Sequence, residues 1–192
     1  MLPKYFENIE YLDVGAGDIN GNLNHLFKNC IKNANDVAPN ENITIISKTK
    51  DLFFINKYFK TIVSSECFEH DPTYKESLLK IYDMLDDNGL FTFTCAGDGR
   101  EEHGTLRTNA TSSLGALYNI DDMGNYYKNL TEYDLNEILN LNKLFSSYDT
   151  YYNEKSKDLY FVGIKNGNDK IILDKYIDSD TIITTHNISN FF

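Results

Sequence analysis

Residues 10–15 read as a short buried strand that runs straight into a glycine turn, Asp13-Val14-Gly15-Ala16-Gly17. Glycine supplies the backbone angles of a tight turn, and a strand that ends this way feeds the chain back across a sheet. The pattern after the turn predicts a brief helix over residues 22–28, with Leu23, Leu26 and Phe27 facing inward. Strand candidates follow at 31–37, where Asn and Lys interrupt the apolar pattern, at 43–46, and at 59–65. Pro72 then opens a helix whose Leu78, Leu79, Tyr82 and Leu85 make an apolar stripe. Asp86-Asp87-Asn88-Gly89 ends that helix in a turn, and 90–95 is a strongly β-prone run.

Residues 96–125 are rich in Gly, Asp, Asn, Thr and Ser and show little periodicity. A connection of that length inside a compact domain is usually functional or disordered. Thr131 and Asp134 form a capping-box variant that opens a helix to about Leu141, and residues 144–152 and 158–165 pair as a terminal hairpin. Strands alternating with helices and closing on a hairpin predict an α/β fold with a doubly wound, mostly parallel sheet and an antiparallel last strand. The length of 192 residues suits one core. One domain is expected over 1–165, with a C-terminal extension of unassigned role over 166–192.

The net charge is −11, from 18 basic and 29 acidic residues. A grip on nucleic acid needs clustered Lys and Arg, so no nucleic-acid partner is expected. At 41% hydrophobic and 14% aromatic residues, the chain as a whole is not intrinsically disordered. Cys30, Cys67 and Cys95 are odd in number and widely spaced, which fits free thiols in a reducing, cytoplasmic compartment. No apolar run reaches bilayer length, and no cationic leader precedes an apolar core.

In an open parallel sheet a ligand binds beyond the carboxyl ends of the strands, where the strand order reverses. Gly15 and Gly17 give the close backbone approach an adenosyl ligand needs, and Asp36, 21 residues after Gly15, sits where a carboxylate can accept both hydroxyls of a ribose. The order Gly15-x-Gly17-x-x-x-Gly21 is one residue longer than the dinucleotide fingerprint, which argues against a nicotinamide cofactor. Two further segments separate the alternatives: Ser64-Ser65-Glu66-Cys67-Phe68-Glu69-His70, and Asn88-Gly89 before Leu90-Phe91-Thr92-Phe93-Thr94. With glycine loop, acid, Glu-His ending and Asn-Gly turn in family order, the chain from Tyr11 to about Lys165 resembles the class I S-adenosylmethionine-dependent methyltransferases.

The resemblance implies a seven-stranded Rossmann-like sheet with an antiparallel terminal hairpin, and S-adenosyl-L-methionine as cofactor. It implies a first cofactor motif at Asp13, Gly15, Ala16 and Gly17, a ribose acid at Asp36 with Val37 beside it, and a methionine end lined by Glu66, Cys67 and Phe68. Asp51 is the candidate for the adenine edge. Two departures stand out: Gly21 is displaced, and only nine residues precede the first strand, so the helical segment that often covers the cofactor is missing. A minimal version, a domain of a larger polypeptide, or a homo-oligomer would each accommodate this.

Methyl transfer from a sulfonium is an in-line displacement, and a hydroxyl acceptor also needs a base. His103 is the best general-base candidate and His70 its competitor, the alternative for His70 being that it caps or orients its loop together with Glu69. Arg100 and Arg107 could clamp an acidic substrate or pair with Glu101 and Glu102, while Thr108, Tyr126 and Tyr127 extend the presumed acceptor wall. The stretch from Cys95 through Thr108, with Tyr126-Tyr127-Lys128-Asn129, resembles a methyltransferase subgroup associated with glycan and polysaccharide gene sets. That implies O-methylation of a sugar or glycan hydroxyl. No His, Asp and Glu set shows convincing ligand spacing, so no metal is expected. The alternatives are a small-metabolite or protein methyltransferase, and a non-catalytic binding module on the same fold.

Overall fold

The computed structural model describes residues 3–19, 21–55 and 57–167, and the backbone of 181–184. Its strands are β1 (Glu10–Val14), β2 (Ile31–Asp36), β3 (Ile45–Ile46), β4 (Phe59–Ser65), β5 (Leu85–Ala96), β6 (Phe145–Asn153), β7 (Asp158–Lys165) and β8 (Thr181–Thr184). They form one sheet in the order β3-β2-β1-β4-β5-β7-β6-β8. The five strands from β3 to β5 are parallel, β7 is antiparallel to both β5 and β6, and β8 pairs antiparallel with β6. The expected sheet and hairpin are present, and the tail adds an eighth strand at the edge. The chain runs outward from β1 through β2 to β3 and then returns to β4 on the other side of β1. The order therefore reverses at the carboxyl ends of β1 and β4.

The core lies where β4, β5 and β7 meet α1 (Tyr74–Met84) and α3 (Glu132–Leu139). α1 buries Tyr74, Leu78, Ile81 and Met84, an i, i+4, i+7, i+10 stripe, while Leu79 falls one position off that face and is exposed. Leu85 belongs to β5, opposite Phe59, and the next register pair is Leu90 with Thr61. The turn expected at 86–89 is thus a bulge within β5, with Asn88 at φ 58. The α3 cap is as expected: Thr131 Oγ1 accepts from the Asp134 amide at 3.3 Å, and Asp134 Oδ2 accepts from the Thr131 amide at 2.9 Å.

The helix expected over 22–28 is absent; a three-residue 3-10 turn, Asn24–Leu26, stands there instead. Asn and Gly are poor helix formers, and here Asn22 Oδ1 accepts from the Asn24 amide at 3.0 Å, a local bond that competes with helix. Phe27 stacks on Tyr11 with ring centroids 3.6 Å apart, so its apolar face is still covered. The long connection after β5 is also not structureless: it holds 3-10 turns at Ala110–Ser112 and Met123–Asn125 and a short helix, α2 (Leu114–Leu117).

Asp149 on β6 is 4% exposed, and burial pushes its carboxyl up to about 6 against the lowering effect of Tyr151. A carboxyl raised in the folded state favours folding fully below its ordinary value of 3.8 and loses that contribution as pH rises through about 6. Above that, the buried charge costs on the order of 2–3 kcal/mol. Asp149→Asn should flatten the fall in stability between pH 4 and 6 and raise Tm by several degrees at pH 7, read by denaturant and thermal unfolding. An unchanged pH slope would show that Asp149 does not titrate in this range.

Candidate active site

A cleft of about 320 Å3 opens at the carboxyl ends of β1, β2 and β4, at the reversal of strand order. Its floor is the glycine loop. Gly15 has φ +69, and a Cβ there would lie 2.5 Å from both Cβ and Sγ of Cys67. A Cβ on Gly17 would lie 2.7 Å from Leu114 Cδ1 and 3.0 Å from Asp36 Oδ2. Only bare backbone fits at these positions, and the Ala16 amide donates to the Asn35 carbonyl at 2.9 Å, fixing the loop to β2.

Asp36, at the end of β2, accepts from the Gly17 amide on Oδ2 (2.9 Å) and from the Val37 amide on Oδ1 (2.7 Å). Burial pushes its carboxyl up, and the two amides pull it back. Asp13 is buried beside the cleft with Lys32 Nζ 2.8 Å from Oδ2; burial raises its carboxyl and the ammonium opposes this. At the end of β4, Glu66 takes a left-handed φ of 51 and accepts from Thr94 Oγ1 at 2.7 Å. Glu66, Cys67 and Val37 border the cleft with the glycine loop. The wall opposite is Ser113, Leu114 and Met123 from the post-β5 connection.

The chain is similar to solved methyltransferase structures. With 1,6-didemethyltoxoflavin-N1-methyltransferase of Burkholderia thailandensis the identity is 18% over 83% of this chain and 72% of that one, with a TM-score of 0.57. With phosphoethanolamine N-methyltransferase 2 of Haemonchus contortus it is 15%, TM-score 0.57, over 86% of this chain and 51% of that one, so this chain spans about half of that enzyme's length. With the N-methyltransferase NodS of Bradyrhizobium japonicum it is 14%, TM-score 0.53, over 86% and 90%. The fold is the class I methyltransferase fold. No family model and no curated protein matches the sequence.

In this methyltransferase fold the residues after β4 and β5 meet beside the cleft as a second group. His70 lines the cleft; its ring lies 5.0 Å from that of His103 and 5.6 Å from that of Tyr127. Burial lowers His70 to about 3, which keeps it neutral. Gly104, at φ +61, lets the post-β5 loop rest on this ring, since a Cβ there would lie 2.5 Å from His70 Cε1. His103 Nδ1 is 3.1 Å from both the Glu101 carbonyl and the Tyr127 hydroxyl, so its Nε2 faces Glu69 at 4.0 Å. Glu69 is fully buried, and burial and then the neighbouring Glu66 carboxylate push it well above the usual carboxylate range.

Several expected site residues lie elsewhere. Phe68 turns into the core, its ring 5.0 Å from Phe93. Asp51 is exposed beside Lys50 and does not border the cleft; Lys48 and Thr49 do, and Thr49 Oγ1 donates to Asn35 Oδ1 at 3.2 Å. Arg100 is tied to Asp158 (2.5 Å) and the Ser156 carbonyl (2.6 Å), pinning its loop to the β6–β7 turn. Arg107 pairs with Glu102 at 2.8 Å, and Thr108 Oγ1 lies 3.1 Å from Thr105 Oγ1. Tyr126 is half-buried outside the cleft lining. Lys48, Thr49, Ser113, Leu114 and Met123 were not singled out from the sequence. Nothing in the aperiodic stretch that holds the last three marks them.

Proposed function

We propose that this protein is an S-adenosylmethionine-dependent methyltransferase acting on a hydroxyl of a small acceptor, a sugar or glycan unit in particular. The observation that carries the reading is the pair of glycines at the reversal of strand order, packed so that any side chain would fill the cradle, with the Asp36 carboxylate at its rim. Each Asp36 oxygen uses one lone pair on a backbone amide and keeps another for a ribose hydroxyl. Asp13, Gly15, Ala16 and Gly17 shape the floor, and Glu66 and Cys67 border the methionine end. When bound, S-adenosylmethionine supplies an electrophilic methyl group on a sulfonium.

The chain's own part is to align, to exclude water and to take the acceptor's proton. Leu114 and Met123 close the cleft with apolar surface. His103 is the candidate base: with its Nδ1 proton donated to the Glu101 carbonyl, its Nε2 lone pair is free. A small, uncharged or cationic acceptor suits the net charge of −11, and no helix among the described residues is long and apolar enough to cross a membrane. Amine acceptors are the second reading, because the similar structures named above are N-methyltransferases.

Calorimetry should give one S-adenosylmethionine site per chain, and a panel of hydroxyl and amine acceptors should yield S-adenosylhomocysteine and a methylated product by mass. No heat with the cofactor under any condition would favour a non-catalytic module.

A further inference from the structure

We propose that Glu69, His70 and His103 bind one divalent transition cation on the acceptor side of the cleft. The inference rests on the methyltransferase reading for its role but not for its existence.

Glu69 and His70 are 0% and 6% exposed, and both ring nitrogens of His70 lack a hydrogen-bond partner among the described residues, while the Glu69 carboxyl meets the backbone amides of Glu69 and Ala96 without full hydrogen-bond geometry. Buried polar groups are otherwise hydrogen-bonded. The vacant valences converge. His70 Nε2 is 3.9 Å and His103 Nε2 4.0 Å from Glu69 Oε1, and one donor atom from each residue falls within 4.8 Å of the others. Metal–ligand bonds of about 2.0–2.2 Å bring donors in one coordination sphere to roughly 3.0–3.4 Å of each other, so the donor pairs must close by about 0.5–2 Å.

The surroundings suit a cation. The Glu66 carboxyl lies beside Glu69 and adds oxygen donors next to the group. The Glu101 carbonyl, 3.1 Å from His103 Nδ1, is placed to take the Nδ1 proton and leave Nε2 bare, the outer hydrogen bond that orients metal-bound imidazoles. The Lys128 amide donates to the Glu69 carbonyl at 2.9 Å and holds Tyr127 over both imidazoles. Two imidazoles and one carboxylate favour zinc, cobalt(II) or manganese(II) over calcium and leave coordination positions open. His70 borders the cleft, which sets the site beside it. With the cation bound, His103 acts as a ligand and not as the base. The sequence alone had suggested no metal, because the third ligand lies 33 residues beyond His70 on a separate loop.

The test titrates the chelator-treated full chain with cobalt(II) alone, followed by visible absorption and competed with zinc. Saturation at one equivalent is expected, with His103→Ala and Glu69→Gln each weakening binding at least ~100-fold, beyond the roughly 10–100-fold that loss of an outer partner causes. His103 is partly exposed, so its alanine variant folds even if the Glu69 variant does not. No stoichiometric uptake, or uptake that survives His103→Ala, overturns the site. S-adenosylmethionine binding is measured in parallel: cofactor binding without cobalt uptake removes the cation and leaves the methyltransferase reading, and the converse does the reverse.

Discussion

Gly15→Ala will destabilise the protein by about 2–5 kcal/mol and abolish cofactor binding. Two independent causes add. The residue sits at φ +69, and a left-handed backbone costs a residue with a Cβ about 1–2 kcal/mol. The new Cβ would also meet the Cβ and Sγ of Cys67 at 2.5 Å, and overpacking of this kind costs about 1–3 kcal/mol. Because Cys67 and Gly15 cross at the reversal of strand order, the collision pushes apart the two loops that border the cleft. Cys67→Gly in the same chain should recover the packing part alone, leaving about 1–2 kcal/mol of backbone strain. Urea unfolding of the two single variants and the double variant measures this. A Gly15→Ala protein of unchanged stability would mean that the loop does not cross Cys67.

The parts of the fold that were legible in the sequence are those whose signal is local. β4 and β7 match their sequence ranges because both carry dense β-branched and aromatic runs. The Thr131–Asp134 cap follows from two side chains three residues apart. What was not legible depends on competition or on distance. Residues 22–28 have helical spacing of Leu23, Leu26 and Phe27, yet Asn22 bonding to its own neighbourhood and a stack of Phe27 on Tyr11 replace the helix. Leu85 continues the α1 stripe by count but is taken by the strand register opposite Phe59.

The site divides the same way. Gly15, Gly17, Asp36, Glu66 and Cys67 belong to motifs at strand ends, and the fold gathers them because parallel strands put those ends together. Leu114 and Met123 come from a stretch without periodicity and are placed only by tertiary packing against Gly17. Charge alone could not tell whether Arg100 and Arg107 were free; the hairpin turn and Glu102 take them. The Glu69–His70–His103 group was visible as separate residues, but its burial and convergence are properties of the folded chain.

Asp36→Asn will weaken S-adenosylmethionine binding by roughly 10–100-fold, although it changes a single atom. In the native protein the two oxygens receive two different backbone donors, Gly17 at 2.9 Å and Val37 at 2.7 Å. A carboxamide has one acceptor oxygen and one donor NH2. Whichever way it turns, one amide N–H faces another donor, at a cost of about 1–3 kcal/mol for the unsatisfied group. If the side chain keeps its bond to Val37, the Gly17 amide is released and the floor of the cradle loosens. If it keeps Gly17, the strain falls on the turn after β2. Either orientation also removes one of the acceptors available to a ribose hydroxyl, so the loss in affinity should exceed the loss in folding stability. Calorimetry with S-adenosylmethionine, set beside urea unfolding of the same variant, separates the two. Equal losses in both would make Asp36 a fastener of the glycine loop and nothing more.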